Sequence, residues 1–303
     1  MVVQRAAARK VLEFAPIVGP RHLITATVGP SFDPVILSLD RTPDYRLETG
    51  HGGFPKKRAD EPNAFRIHHL VNEEWFTFDL PSTVENYHAV QPLPGGEWLL
   101  VRGRADSDID RNAHVFSSTG THVRSFHAGD GIEDVQATAG GQTWISYFDE
   151  GVFGDTSLGR SGLACLDCNG RVAFRFTDID TPIVQSMADC YAFNACSNRE
   201  TWLYYYTDFP LVRLVDQKVA GSWMMPIQGS QGFAVDGERV LFGGSYEEKD
   251  VLFLGNIGTT RFQRLVPVDD AGTAVKRFRA FGRGHRLCMA TDAAMYVVDL
   301  VDL

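Results

Sequence analysis

The sequence predicts an all-β protein, a β-propeller of six blades with four short strands in each blade. The first observation is an internal repeat of a short apolar strand, a turn with Gly or Asn, and an aromatic or aliphatic strand. Each such pair is followed by a loop and two more short strands. One unit therefore takes roughly 40–55 residues, which is typical of a propeller blade. No long segment has helical periodicity.

The elements follow from this repeat, and we expect the whole chain, 1–303, to be one propeller domain. Copies begin near residues 22, 88, 134, 189, 231 and 277. The first is lengthened by a loop insertion at 41–65, rich in Pro, Gly and charge. The last has three obvious strands, and Arg9–Phe14 is predicted to add its outer strand and close the ring, which removes exposed sheet edges. Seven blades are the alternative and need a further sheet within 41–65.

Composition excludes several classes of protein. The 303 residues are 44% hydrophobic and 22% charged, as in ordinary globular proteins. The net charge of −9 argues against a nucleic-acid partner, because phosphate binding needs a basic face. No segment has the apolar length of a signal core or a membrane span. The number of cysteines is odd, five, which fits a reducing compartment better than a set of disulfides. We therefore expect a cytoplasmic protein without a membrane partner.

Four cysteines have a spacing that loosely resembles a zinc site: Cys165, Cys168, Cys190 and Cys196. Cys165 lies in an apolar strand, and Cys168 begins a predicted hairpin turn. We therefore favour small buried hydrophobic residues over zinc ligands.

Four runs of sequence are more distinctive: Gly129-Asp-Gly-Ile-Glu-Asp-Val-Gln, Trp144-Ile-Ser-Tyr-Phe-Asp-Glu-Gly-Val-Phe-Gly, Asp189-Cys-Tyr-Ala-Phe-Asn and Trp202-Leu-Tyr-Tyr-Tyr-Thr-Asp-Phe-Pro-Leu-Val-Arg. They resemble a bacterial family of propeller-like proteins without an assigned role. The resemblance covers blades 3 and 4. It implies the fold and supplies no catalytic residues.

Acidic residues are distributed unevenly between the two predicted rims. One rim is built by the loops between strands 2 and 3 of each blade and by the loops that lead to the next blade. About 24 of the 38 acidic residues fall on this rim, and about 9 fall on the opposite rim. The first rim also has the longest loops, at 41–65, 102–112, 148–161 and 177–188. Long loops on one face of a rigid scaffold often carry function. We therefore predict an acidic site on this rim, at the mouth of the central channel that the innermost strands of the blades line.

The innermost strands are predicted to begin on this rim, and the residues at their starts are candidates for chemistry. They are His22, His88, Glu133 with Asp134, Asp189, Gln231 and Arg277. The repeat aligns Asp134 with Asp189 in neighbouring blades. If both carboxylates face the channel, the pair could hold a cation or act as acid and base. The alternative is that each Asp caps a turn or bonds a neighbouring blade.

Specific roles can be assigned on this hypothesis. Glu133 or Asp134 would be the general base or acid, and Asp189 would be its partner or a cation ligand. His88 would shuttle protons, and Arg277 would hold an anionic substrate group. The remaining ligand-binding candidates are charged, polar or aromatic residues near the same rim: His22, Tyr87, Asp149, Glu150, Phe153, Tyr206, Asp208, Gln231 and Tyr246. Aromatic residues at such places also occur as ordinary propeller packing.

Other motifs are weaker. Asp106-Ser-Asp-Ile-Asp-Arg-Asn resembles the start of a calcium loop, but Arg111 stands where that loop has Gly. The sequence has no P-loop, GxSxG, HExxH or GxGxxG motif.

Two functions from different classes stay open. The first is a protein that binds or processes a small molecule, with Ca²⁺ or another divalent cation as the candidate cofactor. Its chemistry would be cation-assisted hydrolysis or an acid/base condensation or lyase-type reaction. The second is a noncatalytic scaffold that presents the acidic face to a basic protein. In that case 41–65, with His51, Phe54 and Phe65, would be a contact arm. The sequence favours a small molecule over a protein as the partner.

Overall fold

The computed structural model describes residues 4–45 and 56–303. Contacts divide the chain into two compact units. The first unit is Ala15–Asp178. The second unit is Met1–Phe14 together with Ile179–Leu303.

The N-terminal strands β1 (Gln4–Ala7) and β2 (Arg9–Glu13) belong to the second unit. The first unit opens with the short helix α1 (Ala15–Val18). Its strands are β3 (His22–Val28), β4 (Pro34–Leu39), β5 (Arg58–Asn63), β6 (Phe65–Val71), β7 (Glu74–Asp79), β8 (Thr83–Glu85), β9 (Ala89–Leu93), β10 (Glu97–Val101), β11 (Ala113–Phe116), β12 (His122–Phe126), β13 (Ile132–Ala137), β14 (Thr143–Tyr147), β15 (Leu163–Leu166) and β16 (Val172–Arg175). Helix α2 (Asp149–Val152) follows β14, and 3₁₀ turns occupy Pro94–Gly96, Gly159–Ser161 and Phe176–Asp178.

These strands form three four-stranded sheets. Blade 1 has the order β3-β4-β6-β7, blade 2 is β9 to β12, and blade 3 is β13 to β16. Strands β5 and β8 pair separately as a two-stranded ribbon.

The second unit contains the other three sheets. Its remaining strands are β17 (Asp189–Ala195), β18 (Glu200–Tyr206), β19 (Pro210–Val215), β20 (Lys218–Met224), β21 (Phe233–Asp236), β22 (Arg239–Gly243), β23 (Leu252–Asn256), β24 (Phe262–Val268), β25 (Arg279–Arg283), β26 (Arg286–Ala290) and β27 (Ala294–Asp299), before a 3₁₀ turn at Leu300–Asp302. Blade 4 is β17 to β20, blade 5 is β21 to β24 with β1 added, and blade 6 is β25 to β27 with β2.

Burial explains the strand sequences. Strand β4, Pro-Val-Ile-Leu-Ser-Leu, is buried at all six positions, whereas four consecutive residues of β7, from Glu74 to Thr77, are exposed. A strand buried on both faces is a continuous apolar run, and an outer strand needs less apolar surface. Apolar clusters fill the contacts between blades 1 and 2, 2 and 3, 4 and 5, and 5 and 6.

Two buried amides join neighbouring innermost strands. In the first unit, Gln91 donates to Thr27 Oγ1 at 3.2 Å and accepts from the Ala137 amide at 3.1 Å. In the second unit, Asn194 donates to the carbonyls of Phe233 (3.1 Å) and Gly284 (2.8 Å) and accepts from the Gly284 amide at 2.7 Å. Each amide therefore connects three successive blades.

The predicted fold is confirmed: the protein is an all-β, six-bladed β-propeller. Strand β2 pairs antiparallel with β27 and supplies the outer strand of blade 6, as the sequence predicts. Strand β1, which the sequence analysis missed, pairs parallel with β24 at the edge of blade 5. No helix among the described residues has the length and apolar character needed to cross a membrane.

The insertion at 41–65 differs from the prediction of a loop. Residues 58–63 form β5, and Phe65 begins β6 with its side chain fully buried. The described part of the insertion is also anchored. Asn86 donates to the carbonyls of Asp44 (2.8 Å) and Lys56 (2.7 Å), and the Tyr45 hydroxyl donates to the carbonyl of Tyr87 at 2.6 Å. His51 and Phe54 lie outside the described residues.

Candidate functional site

The second unit brings several predicted site residues together at one end of blades 4 and 5. Asp189 begins β17 and is the register partner of Tyr206, the last residue of β18. The turn after β18 has positive φ at Asp208 (63°) and Phe209 (55°), so the chain reverses within three residues. Tyr246, from the turn after β22, packs against the same Phe209 ring.

We call Tyr191, Tyr206, Phe209 and Tyr246 the tyrosine cluster. Phe209 is 3% exposed, and its ring centroid lies 5.3 Å from Tyr191 and 5.7 Å from each of Tyr206 and Tyr246. The rings of Tyr191 and Tyr246 meet edge to face with Phe209, and their hydroxyls hydrogen-bond to each other. Such geometry is favourable between aromatic rings. The buried Phe209 therefore fixes the exposed tyrosines in place.

The cluster keeps a large accessible aromatic surface. Tyr206 is 45% exposed and Tyr246 is 51% exposed. Beside Tyr246 lies a cavity of about 270 Å³ with a mixed apolar and polar lining: Pro226, Ile227, Gln228, Ser245, Tyr246, Glu247, Glu248 and Phe253. Exposed rings next to a few hydrogen-bonding groups are typical of a small-molecule site. Tyr191 was not predicted, although its place two residues after Asp189 on one strand was a usable signal.

Two other predicted residues of this unit lie elsewhere on their blades. Strand β21 begins at Phe233 and β25 at Arg279, so neither Gln231 nor Arg277 is the first residue of an innermost strand. Both are exposed, and the Arg277 amide donates to Asp250 Oδ1 at 2.7 Å in a turn with φ of 52°. The predicted strand starts were two residues early because Gly and polar residues precede each apolar run.

The predicted equivalence of Asp134 and Asp189 is wrong. In blade 3, Gln136 pairs with Trp144 and Asp134 with Ser146; in blade 4, Asn194 pairs with Trp202 and Ala192 with Tyr204. Counting from the two tryptophans, Asp134 corresponds to Ala192. Strands β13 and β17 each have a register shift near their start, and an alignment of the repeats along the sequence cannot show such a shift. Asp134 and Asp189 belong to different units, and their use as a pair stays a prediction.

In the first unit, Glu133 and Asp134 are half-buried on β13. Asp134 Oδ2 accepts a hydrogen bond from Gln136 Nε2 at 3.1 Å, and the Asp134 amide donates to Ser146 Oγ at 3.1 Å. The Ile132 amide donates to the carbonyl of Gly103 at 3.0 Å, beside His88.

His88 has an unusual environment. Its ring packs against the Tyr45 ring, with centroids 4.4 Å apart and the planes tilted by 32°, and Nδ1 accepts from the Gly103 amide at 3.4 Å. Its Nε2 is buried and has no hydrogen-bond partner among the described residues. Burial lowers the pKa of His88 to about 4. The imidazole is therefore neutral near pH 7.

The remaining predicted residues of this unit differ in accessibility. Tyr87 is 1% exposed and packs in the core of blades 1 and 2, so it does not line an open site; this prediction is wrong because the apolar ring fills the space between sheets. His22 is exposed, with Nε2 3.4 Å from Thr42 Oγ1. Asp149 begins α2 and is exposed, and Phe153 after it is 75% exposed.

Acidic side chains of loop 102–112 form ion pairs with basic residues, which differs from the calcium loop that this sequence resembles. The fully buried Arg102 makes two hydrogen bonds to Asp110, at 2.9 and 3.0 Å, and its Nε lies 2.7 Å from Glu85 Oε2. Asp106 pairs with Lys57, and Asp108 accepts from the Ser157 amide at 2.7 Å. These carboxylates are therefore already engaged by protein groups.

The same pairing extends to Glu150. Arg104 contacts Glu150 and Asp130, the latter at 3.0 Å, and its guanidinium lies 5.9 Å from the Phe148 ring centroid. Much of the acidity assigned to this rim is thus compensated by arginine and lysine within the first unit. Counting residues along the sequence could not detect this pairing.

Metal ligation has little support in the described geometry. Residues 4–45 and 56–303 contain no group of three or more His, Cys, Asp or Glu side chains that could hold an ion. Cys165 and Cys190 are buried in strands β15 and β17, and burial raises the pKa of the Cys165 thiol to about 12. A cation at Asp134 and Asp189 stays a prediction.

Comparison with known proteins agrees with the fold. The sequence profile of the YxzG family matches residues 163–298, from the third strand of blade 3 to blade 6, which is less than half of the chain. With the six blades, this match confirms the predicted resemblance to a bacterial propeller family. No curated protein sequence gives a significant match.

Solved structures with a similar fold include virginiamycin B lyase from Staphylococcus aureus, at 11% identity over 95% of this chain and 97% of that chain, with a TM-score of 0.50. A gluconolactonase from Xanthomonas campestris aligns at 9% identity over 99% of both chains, with a TM-score of 0.44. At these identities, the similarity to the lyase concerns the fold alone.

Proposed function

We propose that the protein binds a small molecule at the tyrosine cluster, with Asp189 as the adjacent charged group. The observation that carries this proposal is that Tyr206 and Tyr246 stay half exposed on a buried Phe209, beside a cavity of about 270 Å³. Rings held rigidly lose little entropy when a ligand packs on them. The ligand we expect has one flat apolar face and hydrogen-bonding groups at its edge.

The chemistry of the site is the second part of the proposal. Asp189 and Tyr206 are register partners at the same end of blade 4. A carboxylate beside a bound molecule is suited to acid/base catalysis of a hydrolysis, condensation or lyase-type reaction. His88, Glu133 and Asp134 are the corresponding candidates in the first unit. Ca²⁺ or another divalent cation is the candidate cofactor, with Asp134 in the first unit and Asp189 in the second unit as the candidate ligands, each taken by itself.

The binding test is a thermal-shift screen with metabolites, followed by titration of each compound that raises the melting temperature. The double variant Tyr206→Ala/Tyr246→Ala should abolish the shift. The matched control is Trp75→Ala/Phe76→Ala, which removes two exposed aromatic rings of blade 1. Equal loss of binding in both variants would contradict the assignment of the site.

The role of Asp189 needs a separate test. Asp189→Asn should remove turnover of a bound compound, or weaken its binding, and leave the melting temperature nearly unchanged. Asp134→Asn should do the same if the two carboxylates act together. A large loss of stability in either variant would indicate a structural role. Added Ca²⁺, Mg²⁺ or Zn²⁺ should raise the melting temperature if a cation binds, and no shift would remove the cofactor from the proposal.

A protein-binding scaffold is the alternative. It is favoured by the exposed Met224 (54%), Tyr206 and Tyr246 of the second unit. The contact arm that the sequence predicts at 41–65 has less support, because Phe65 is fully buried and Lys56 is paired with Asp44. A pull-down at low salt with the Tyr206→Ala/Tyr246→Ala variant as control separates the functions: a protein captured only by the unsubstituted chain would favour the scaffold.

A further inference from the structure

The second unit has another cavity, about 530 Å³, at the opposite end of its strands. It lies at the turns that join the first and second strands of blades 4, 5 and 6, and its lining includes apolar and charged residues: Glu200, Trp202, Arg213, Val235, Asp236 and Glu238. Strand β18 runs from Glu200 at this cavity to Tyr206 in the tyrosine cluster, a span of roughly 20 Å. The two sites are therefore separate.

One wall of the cavity contains a carboxylate in a fixed position. Glu200 Oε1 accepts from Trp202 Nε1 at 2.9 Å and from Arg213 Nε at 2.8 Å. The guanidinium of Arg213 lies 5.5 Å from the Trp202 ring centroid, and the Trp202 ring stacks on Trp223. These contacts hold the Glu200 carboxylate and the Trp202 ring in place before any ligand binds, so ligand binding would order few side chains.

The charge of the lining is negative. Arg213 balances Glu200, whereas Asp236 and Glu238 are exposed and make no side-chain hydrogen bond or ion pair with the residues that the structure describes. Counted over the Asp, Glu, Lys and Arg side chains alone, the lining carries a formal charge of −2. Such a site attracts a cation and repels an anion.

The cation that fits is organic. A metal ion needs several converging ligands, and the described residues contain no group of three or more that could hold one. The volume accommodates several non-hydrogen atoms, and Trp202 and Val235 provide apolar wall. We propose that this cavity binds an organic amine with a short apolar or aromatic part, its ammonium attracted to the negative charge of Asp236 and Glu238. This site is independent of the function proposed at the tyrosine cluster.

The test compares 2-phenylethylamine with 2-phenylethanol, which has a hydroxyl in place of the ammonium. The readout is the indole N–H resonance of Trp202 in an NMR titration, assigned with Trp202→Phe. The amine should shift this resonance saturably, and the alcohol should bind at least about tenfold more weakly. Equal binding of both compounds, or an unchanged Trp202 resonance, would overturn the proposal.

Variants test the charged groups. Asp236→Asn/Glu238→Gln should raise the dissociation constant of the amine about tenfold or more. Asp270→Asn/Asp302→Asn removes the same charge from exposed positions outside the cavity lining and should leave the constant within about twofold. If both double variants weaken binding equally, only the net charge matters and the site is wrong. Melting temperatures of both variants establish that they are folded.

Discussion

At the scale of single residues, one buried amide side chain in each unit joins neighbouring blades. Asn194 and Gln91 each use a planar amide, which donates and accepts at once, to connect three successive innermost strands. A buried amide keeps its stabilising effect only if its partners are all in place. These two residues should therefore tolerate substitution poorly.

The first prediction concerns Asn194→Ala. The change removes the side-chain partner of the Phe233 carbonyl and of the Gly284 amide, while the Gly284 carbonyl keeps its bond from the Val235 amide, so we expect a loss of about 3 kcal/mol in the free energy of unfolding. Urea denaturation measures it. The control Asn256→Ala removes an exposed amide of the same unit and should change stability by less than about 0.5 kcal/mol. A similar effect of the two substitutions would contradict the role of Asn194.

The second prediction concerns pH. Burial lowers the pKa of both His68 and His88 to about 4, and for His68 the charges of Arg66 and Arg21 act in the same direction. Between an unfolded pKa of about 6.5 and the folded value, the unfolded chain binds more protons. Stability should therefore be complete above that unfolded pKa and should fall as the pH falls through this window.

Unfolding free energies at pH 7, 6 and 5 test this prediction. The decline should be flatter in His68→Gln/His88→Gln, because two groups whose pKa is lowered to about 4 are removed. The exposed His122→Gln should keep the decline of the unsubstituted protein. An unchanged slope in the double variant would show that other groups control acid sensitivity.

At the scale of elements, the two N-terminal strands complete different blades. Strand β2 pairs antiparallel with β27 in blade 6, and its Leu12, with Phe14 after it, is buried. Strand β1 pairs parallel with the edge of blade 5 and buries the smaller Ala6. The apolar area that each strand buries sets its contribution to stability.

The third prediction follows from this difference. Deletion of residues 1–14 exposes the edge of β27 and removes buried Leu12 and Phe14, so the melting temperature should fall by about 10 °C. Deletion of residues 1–8 removes only β1 and should cost a few degrees. Scanning calorimetry measures both. Equal shifts would mean that β2 adds nothing to blade 6.

At the scale of the whole molecule, the structure shows which of the carboxylates behind the net charge of −9 are paired with basic side chains. In the first unit, loop 102–112 and its neighbours pair carboxylates with Arg58, Arg102 and Arg104. In the second unit, Asp236 and Glu238 stay unpaired among the described residues. The location of unpaired carboxylates, more than their number, decides where a cation is attracted.

The fourth prediction is that the protein does not bind nucleic acid. A net charge of −9 opposes the phosphate contacts whose counterion release gives non-specific affinity. Fluorescence anisotropy with a 20-base-pair DNA duplex and with a single-stranded RNA should give no binding tighter than about 10⁻⁴ M at 150 mM salt. Salt-sensitive binding at micromolar concentration would contradict this prediction.

The sequence by itself determined the six blades, their strand spacing and the outer strand that 9–13 adds to blade 6. These are local properties, because apolar runs, turn residues and their period are readable along the chain. Only the tertiary structure decided the register of Asp134 and Asp189, the burial of Tyr87, the tyrosine cluster and the cavity around Glu200. Each depends on irregular strand pairing or on side chains distant in sequence, and spacing along one chain contains neither.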